Sequence, residues 1–156
     1  MTKTSLLLAV VLACTTGRMA LAADHLRLAP DLSFTDDSSD RFPIIGEHLD
    51  DGAIGAGRAT VVFFGAKSCW NTNREAERLV ALYPRFRDRM RFVVVDVGHP
   101  SEAQRTLMRA HYGGSIPTLA IFDAKGDVRY AEAGETASQR GDTTRLATLL
   151  TRALDE

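Results

Sequence analysis

The chain has 156 residues, of which 45% are hydrophobic and 25% charged, and this balance fits a single globular domain. The formal net charge of −1, without a basic cluster, gives no support for nucleic acid as a partner. Because no apolar run reaches the roughly 18 residues that a membrane-spanning helix needs, we expect no membrane span.

The first 22 residues have the pattern of a secretory signal peptide. Lys3 precedes an apolar run at residues 5–13, and residues 20–22 have the sequence Ala-Leu-Ala. A basic start, a short apolar core and an Ala-x-Ala end predict export, with cleavage after Ala22. We therefore expect an extracytoplasmic location, in the bacterial periplasm.

Two other interpretations of this segment stay open. Residues 11–14, Val-Leu-Ala-Cys, resemble a bacterial lipobox, in which Cys14 would carry lipid and become the mature N-terminus. Leu12 is a poor fit to that pattern. The same apolar run also fits a short buried helix of the domain.

The chain contains two cysteines, and Cys14 lies in the predicted signal region. An exported domain that has lost this region keeps one thiol, Cys69, in a compartment where thiols are readily oxidised. An unpaired cysteine in an exported protein indicates either pairing with another molecule or a reactive thiol.

Residues 23–43 are rich in Asp, Ser and Pro, with the sequence Asp-Asp-Ser-Ser-Asp at 36–40. This composition predicts a flexible, solvated leader. The domain is expected over residues 44–156, and its first element is a short helix over 44–53, where apolar residues are only loosely periodic.

Two compact apolar runs predict buried strands. Residues 60–64, Thr-Val-Val-Phe-Phe, are β-branched and aromatic and stop at Gly65. Residues 91–97 are almost continuously apolar, which favours a sheet covered on both faces. Pro84 is expected to kink or restart the helix between these strands. That helix is predicted from apolar residues at i, i+3, i+4 and i+7, namely Ala76, Leu79, Val80 and Tyr83.

The next segment predicts a helix followed by a β-hairpin. Ser101 with Glu102 suits a helix start, and the Gly113-Gly114 pair ends that helix. Strands at 118–122 and 128–131 are joined by the sequence Ala-Lys-Gly-Asp, a hairpin turn.

A closing amphipathic helix has Asp142 or Thr143 as its N-cap. The predicted order of elements is therefore β-α-β-α-β-β-α. A parallel strand pair with a crossover helix, followed by a hairpin and a helix, gives an α/β fold with a central mixed sheet flanked by helices.

Two stretches carry a resemblance to a known superfamily. In residues 61–72, Val-Val-Phe-Phe-Gly-Ala-Lys-Ser-Cys-Trp-Asn-Thr, a strand leads into a cysteine at a helix start. In residues 112–122, Tyr-Gly-Gly-Ser-Ile-Pro-Thr-Leu-Ala-Ile-Phe, an Ile-Pro-Thr segment leads into a strand. In this order they resemble the thioredoxin-like superfamily over about residues 44–154. The resemblance implies a thioredoxin-like fold in which the Ile116–Pro117 peptide bond is cis and its loop faces Cys69.

The active-site loop departs from the family pattern. Redox-active members carry Cys-x-x-Cys, whereas position 72 is Thr in this chain. The Trp that often precedes the first cysteine follows it instead, as Trp70, and Ser68 stands before it. The buried acid that helps deprotonate the second cysteine in thioredoxins falls at Phe63. The second thiol and the acid that serves it are therefore both absent.

Cys69 is the candidate nucleophile. A thiol at a helix N-terminus lies near the positive end of the helix dipole and near free N–H groups, which stabilise the thiolate. The Thr72 hydroxyl is expected to donate a hydrogen bond to the sulfur, and Lys67 adds positive charge. The alternative is that Cys69 serves only as a small buried hydrophobic residue.

We assign Cys69 and Thr72 as catalytic residues, and Trp70, Ile116 and Pro117 as substrate-binding residues. Trp70 is expected to be exposed beside the thiol, and the alternative is ordinary packing within its loop. No metal site is predicted, because His99 and His111 have no neighbours at metal-ligand spacing.

Without a second cysteine, a mixed disulfide at Cys69 must be released by another thiol: glutathione, a protein thiol, or the substrate's own second cysteine. We therefore expect a monothiol thiol–disulfide exchange protein, isomerase- or reductase-like, acting on cysteine-containing proteins or small thiols. No cofactor is expected, and glutathione is one candidate co-substrate. The alternative function is a redox-inactive thioredoxin-like binding or chaperone module.

Overall fold

The computed structural model of the chain describes residues 26–46, 54–133, 139 and 142–156. The predicted signal peptide, including Cys14, lies outside these ranges. In the part that is described, no helix is long and apolar enough to cross a membrane. The elements, in chain order, are β1 (Arg27–Leu28), β2 (Ile44–Ile45), β3 (Ala59–Gly65), α1 (Trp70–Phe86), β4 (Met90–Asp96), α2 (Glu102–His111), β5 (Thr118–Phe122), β6 (Val128–Ala133) and α3 (Thr143–Asp155).

The main sheet has four strands in the order β4-β3-β5-β6. β3 pairs with β4 in parallel and with β5 in antiparallel orientation, and β6 completes the hairpin with β5. β3 is thus hydrogen-bonded on both sides, and all seven of its residues are buried. The predicted α/β fold with a central mixed sheet and flanking helices is confirmed.

The two faces of the sheet support two separate hydrophobic clusters. Val61 and Phe63 of β3 pack with residues of α1 and α3 on one face, including Leu79 and Leu150. Val62 and Phe64 point to the opposite face, where Leu107 of α2 covers them. This alternation follows from the two-residue period of a strand, and it explains why β3 and β4 are apolar along almost their whole length.

Pro84 does not restart the helix, which was one of the two outcomes that we expected of it. α1 runs without a break to Phe86, and the Arg87 N–H still donates to the Tyr83 carbonyl at 2.9 Å. Proline lacks the N–H that would bond the carbonyl four residues earlier. Because Pro84 lies within the last turn, α1 accommodates it and ends two residues later.

Residues 26–46 differ from the predicted solvated leader. β1 and β2 form an antiparallel pair in which Arg27 faces Ile45 and Leu28 faces Ile44. The buried side chains of Leu26 and Ile44 join the cluster beneath α1. Ile44 and Ile45 are therefore strand residues, and the helix predicted over 44–53 is wrong at these positions. Its residues 47–53 lie outside the described ranges.

Both remaining helices begin at the predicted caps. Ser101 Oγ accepts from the Gln104 N–H at 3.3 Å, and Gln104 Oε1 accepts from the Ser101 N–H at 3.1 Å, which forms a capping box at the start of α2. Asp142 Oδ1 accepts from the first free N–H groups of α3. Of the two residues predicted as the cap of this helix, Asp142 is the correct one.

The β5–β6 turn is organised by a buried carboxylate. Asp123 Oδ1 accepts the N–H groups of Lys125, Gly126 and Asp127, and Oδ2 binds the Arg129 guanidinium at 2.5 Å. Burial alone would raise the pKa of Asp123, but the hydrogen bonds and the charge of Arg129 outweigh it. The net result is a pKa below the ordinary value of 3.8.

Asp123→Asn should lower the melting temperature and flatten its dependence on acid pH. Because the folded-state pKa is depressed, ionised Asp123 stabilises the fold above its unfolded-state pKa, and this contribution disappears as pH falls through the folded-state value. Melting curves from about pH 6 to about pH 3 check this. Asp127→Asn, which removes an equal charge from the same turn, should melt close to wild type. The prediction would be contradicted if the melting temperatures of wild type and Asp123→Asn fell equally as the pH is lowered.

Candidate functional site

A short loop carries the chain from the end of β3 to Cys69. Ser68 has a φ of 55°, in the left-handed region that non-glycine residues seldom adopt, and Cys69 returns to an extended conformation as the N-cap of α1. The Cys69 thiol is free and partly exposed. The tight turn at Ser68 therefore places the only thiol among the described residues at the start of a 17-residue helix.

The N-terminus of α1 is capped by a carboxylate, and the sulfur takes no part in the capping. The Cys69 side chain makes no capping hydrogen bond. Instead, the Trp70 N–H donates to Asp37 Oδ1 at 2.9 Å. Our expectation that the free N–H groups of this turn serve the thiolate is therefore corrected for Trp70, because Asp37 occupies its N–H.

Thr72 occupies the position of the second family cysteine and is fully buried. Its methyl group lies beside Gly65, where a Cβ on that glycine would fall 2.5 Å from Thr72 Cγ2. Its hydroxyl has no hydrogen-bond partner within the described residues. The hydrogen bond that we expected from Thr72 to the Cys69 sulfur is therefore not formed in this conformation.

Trp70 is half-buried beside the thiol, less open than we expected. The Arg74 guanidinium lies over the indole ring, 5.3 Å from its centroid. Arg74 is itself held by the Phe34 carbonyl, which accepts from Nε at 2.8 Å. Lys67 is exposed. One face of the indole is thus covered by Arg74.

The Ile116–Pro117 peptide bond is cis in the structure. Pro117 is buried and Ile116 half-buried, and the Thr118 hydroxyl donates to the Ser115 carbonyl at 2.6 Å. Thr118 pairs with Phe64, one residue before β3 ends. The register therefore brings the proline loop and the Cys69 loop to the same edge of the sheet.

The position that holds an acid in thioredoxins is apolar here. Phe63 is fully buried, and its ring contacts Phe42 edge-on with centroids 6.2 Å apart. The nearest buried acid along the helix, Glu75, is paired with buried Arg78 at 2.5 Å. Arg78 also donates to the Gln139 carbonyl. Glu75 thus orients Arg78, which links α1 to Gln139.

The loop that covers the start of α1, residues 33–39, was not expected from the sequence, and we call it the capping loop. Asn73 Nδ2 donates to the Ser33 carbonyl at 2.6 Å and to Ser39 Oγ at 3.0 Å. Asn73 is 0% and Ser39 4% exposed. Together with the contacts of Asp37 and Phe34, these bonds fix the loop to the first turn of the helix. The sequence signal for this loop was an asparagine at a helix position that is buried, because a buried amide needs hydrogen-bond partners.

No family model matches the chain, and no curated protein sequence matches it. Solved structures match over most of the domain. Thioredoxin O2 of Arabidopsis thaliana is 17% identical, with a TM-score of 0.51 over 68% of this chain and 84% of its own. Thioredoxin O1 of the same plant is 19% identical, with a TM-score of 0.51 over 68% and 86%.

The exposed lipoprotein thioredoxin of Streptococcus pneumoniae is 16% identical, with a TM-score of 0.50 over 70% of this chain and 91% of its own. These neighbours and the strand order show that the chain has a thioredoxin-like fold. Within that fold, the segment that begins at Cys69 has the form Cys-x-x-Thr.

Gly65→Ala should destabilise the protein by about 1–3 kcal/mol, the usual range for overpacking a core. The added Cβ would lie 2.5 Å from Thr72 Cγ2 and 2.9 Å from the Phe63 ring, and neither group is free to move in the core. The measurement is the free energy of unfolding in urea.

Gly113→Ala is the matched control, because a Cβ there meets nothing within 4 Å, and its stability should equal wild type. Adding Thr72→Ser to Gly65→Ala removes the nearer clash and should restore part of the loss. Wild-type stability in Gly65→Ala alone would show that Thr72 is not held against β3.

Proposed function

We propose that this protein is an extracytoplasmic, thioredoxin-like thiol–disulfide exchange protein that acts as a monothiol through Cys69. The observation that carries the proposal is a free, partly exposed thiol at the N-cap of α1, at the same sheet edge as the cis-proline loop. The thioredoxin-like fold of its structural neighbours supports the same chemistry.

The proposed reaction is a direct displacement at sulfur. The Cys69 thiolate attacks one sulfur of a substrate disulfide, forms a mixed disulfide, and the second substrate sulfur leaves as a thiolate. Cys69 is oxidised in this step and the departing sulfur is reduced. A further thiol, from the substrate, another protein or glutathione, then attacks the mixed disulfide and regenerates Cys69.

Trp70, Ile116 and Pro117 are the proposed substrate contacts. Trp70 directly follows Cys69, and the half-buried Ile116 offers apolar surface in the loop that leads into β5. Thr72 is the proposed donor to the sulfur. Its buried hydroxyl lacks a partner among the described residues, so this donor is not committed to another described group.

Export is the second part of the proposal. It rests on the signal-peptide pattern of residues 1–22, with cleavage after Ala22 or lipidation at Cys14 as the two routes. One structural neighbour is an exposed lipoprotein, which supports the same location. In an oxidising compartment Cys69 would meet disulfides in its partners.

A redox-inactive binding or chaperone module is the second candidate function. The capping loop favours it, because Asp37 occupies a helix N–H next to Cys69 and the thiol makes no capping bond. On this alternative, the surface around Trp70 and the proline loop would bind an unfolded or extended partner without any covalent step.

Incubation with 2-hydroxyethyl disulfide should convert wild type to a mixed disulfide at Cys69, which reduced glutathione or a protein thiol then cleaves. Intact-protein mass spectrometry follows both steps. Cys69→Ser should show neither mass change, and it is a conservative replacement at a partly exposed position. If wild type stays unmodified while both proteins capture the same partners, the binding module is the correct function.

Thr72→Cys should remove the need for an external thiol. A thiol at the third helical position lies within reach of the N-cap sulfur, so it can resolve the mixed disulfide internally, as in Cys-x-x-Cys loops. We expect pre-reduced Thr72→Cys to reduce insulin without added small thiol markedly faster than pre-reduced wild type does. Thr72→Ser is the matched control and should remain at the wild-type rate. A similar rate for both variants would contradict the prediction.

A further inference from the structure

The capping loop places a negative charge near the Cys69 thiol. The sequence pattern did not reveal this charge. We infer that Asp37 is a specificity-determining residue of the Cys69 site, which makes the site disfavour anionic disulfides and thiols. The inference deepens the proposed exchange function and rests on it for the identity of the substrate. It predicts that the natural partner is neutral or cationic around its reacting sulfur.

The position of Asp37 follows from one hydrogen bond and covalent geometry. Asp37 Oδ1 lies 2.9 Å from the Trp70 amide nitrogen. Four covalent bonds separate that nitrogen from Cys69 Sγ, so these two atoms lie within about 5 Å of each other. The carboxylate oxygen therefore lies within about 8 Å of the sulfur, a distance no greater than the screening length at physiological salt.

The capping loop is held in place by several bonds, so this charge is fixed. The Asn73 side chain binds the loop at Ser33 and Ser39, which are its first and last residues. Ser33 N–H also donates to Ser39 Oγ at 2.7 Å, closing the loop on itself. Asp37 is thus presented from a loop that is anchored at both ends.

The other charged groups nearby are placed differently. Arg74 lies over the Trp70 ring and binds the Phe34 carbonyl, one turn further along α1. Asp36 accepts the Ser38 N–H within the loop, and Lys67 is exposed. Asp37 is bonded to the residue that directly follows Cys69. The negative charge of its carboxylate therefore affects charged molecules that approach the sulfur.

Two consequences follow for chemistry at Cys69. Asp37 withdraws the Trp70 N–H from the sulfur, which lowers reactivity toward every electrophile. Its negative charge also repels anionic reagents, which lowers their rates further. Glutathione carries a net negative charge, so the inference favours a protein thiol over glutathione for release of the mixed disulfide.

The test compares two alkylating reagents of similar size, neutral iodoacetamide and anionic iodoacetate. Each transfers its carbon to the Cys69 thiolate with loss of iodide, so the thiolate population cancels in the ratio of their rates. This ratio reports local charge, and a purely structural role for Asp37 would leave it unchanged. The variants are Asp37→Asn, which retains an acceptor for the Trp70 N–H, and Asp37→Ala, which does not.

We expect wild type to prefer iodoacetamide more strongly than Asp37→Asn does, with the ratio falling by about twofold in the variant at low salt. Asp37→Ala should show a similar fall in the ratio and a further rise in both rates. Asp40→Asn removes an exposed charge just outside the loop and should keep the wild-type ratio. High salt should reduce the difference between wild type and Asp37→Asn.

Equal ratios in wild type and Asp37→Asn would overturn the inference, as would a Cys69 that neither reagent modifies in any variant. Circular dichroism melts show whether each variant is folded. Failure of the exchange function itself gives a different result: the alkylation ratio shifts with Asp37, but small disulfides leave Cys69 unmodified.

Discussion

The pairing of β3 on both of its edges is the constraint on which the rest of the molecule depends. β4 and β5 pair with the two sides of β3, and Thr118 at the start of β5 lies opposite Phe64, next to the Gly65 end of β3. The Cys69 loop and the proline loop therefore emerge side by side. Because the side chains of β3 alternate, α1 and α2 pack on opposite faces of the sheet. The position of α1, the helix that presents the thiol, therefore depends on strand pairing.

Most of the main sheet and its helices could be predicted from sequence, because periodicity and capping are local. The compact apolar run of residues 60–64 and the Ser101 cap each specify an element without reference to distant residues. Residues 26–46 could not be predicted, because a serine- and aspartate-rich segment has the same composition whether water or a helix end satisfies its polar groups. The partners that order it, Trp70 and Asn73, are some thirty to forty positions away.

The candidate site was predicted in part. Strand, cysteine and proline loop are recognisable in sequence because each has its own short pattern. The environment of the sulfur could not be predicted, because it depends on which group reaches the free amides of α1. In the structure, a carboxylate from the capping loop does so. Thr72 and Phe63, the positions where the resemblance would place a second thiol and its acid, are both fully buried.

The far edge of the sheet has a separate consequence. β6 is exposed along nearly its whole length, and Val128 is 50% exposed. Such an edge offers unpaired backbone groups to a strand of another molecule. Here the pairing is interrupted by an irregularity opposite Ile121 and Phe122, and Arg129 and Glu132 engage in ion pairs along the strand. The charged side chains and the irregular register make this edge a poor template for pairing with a strand of another molecule.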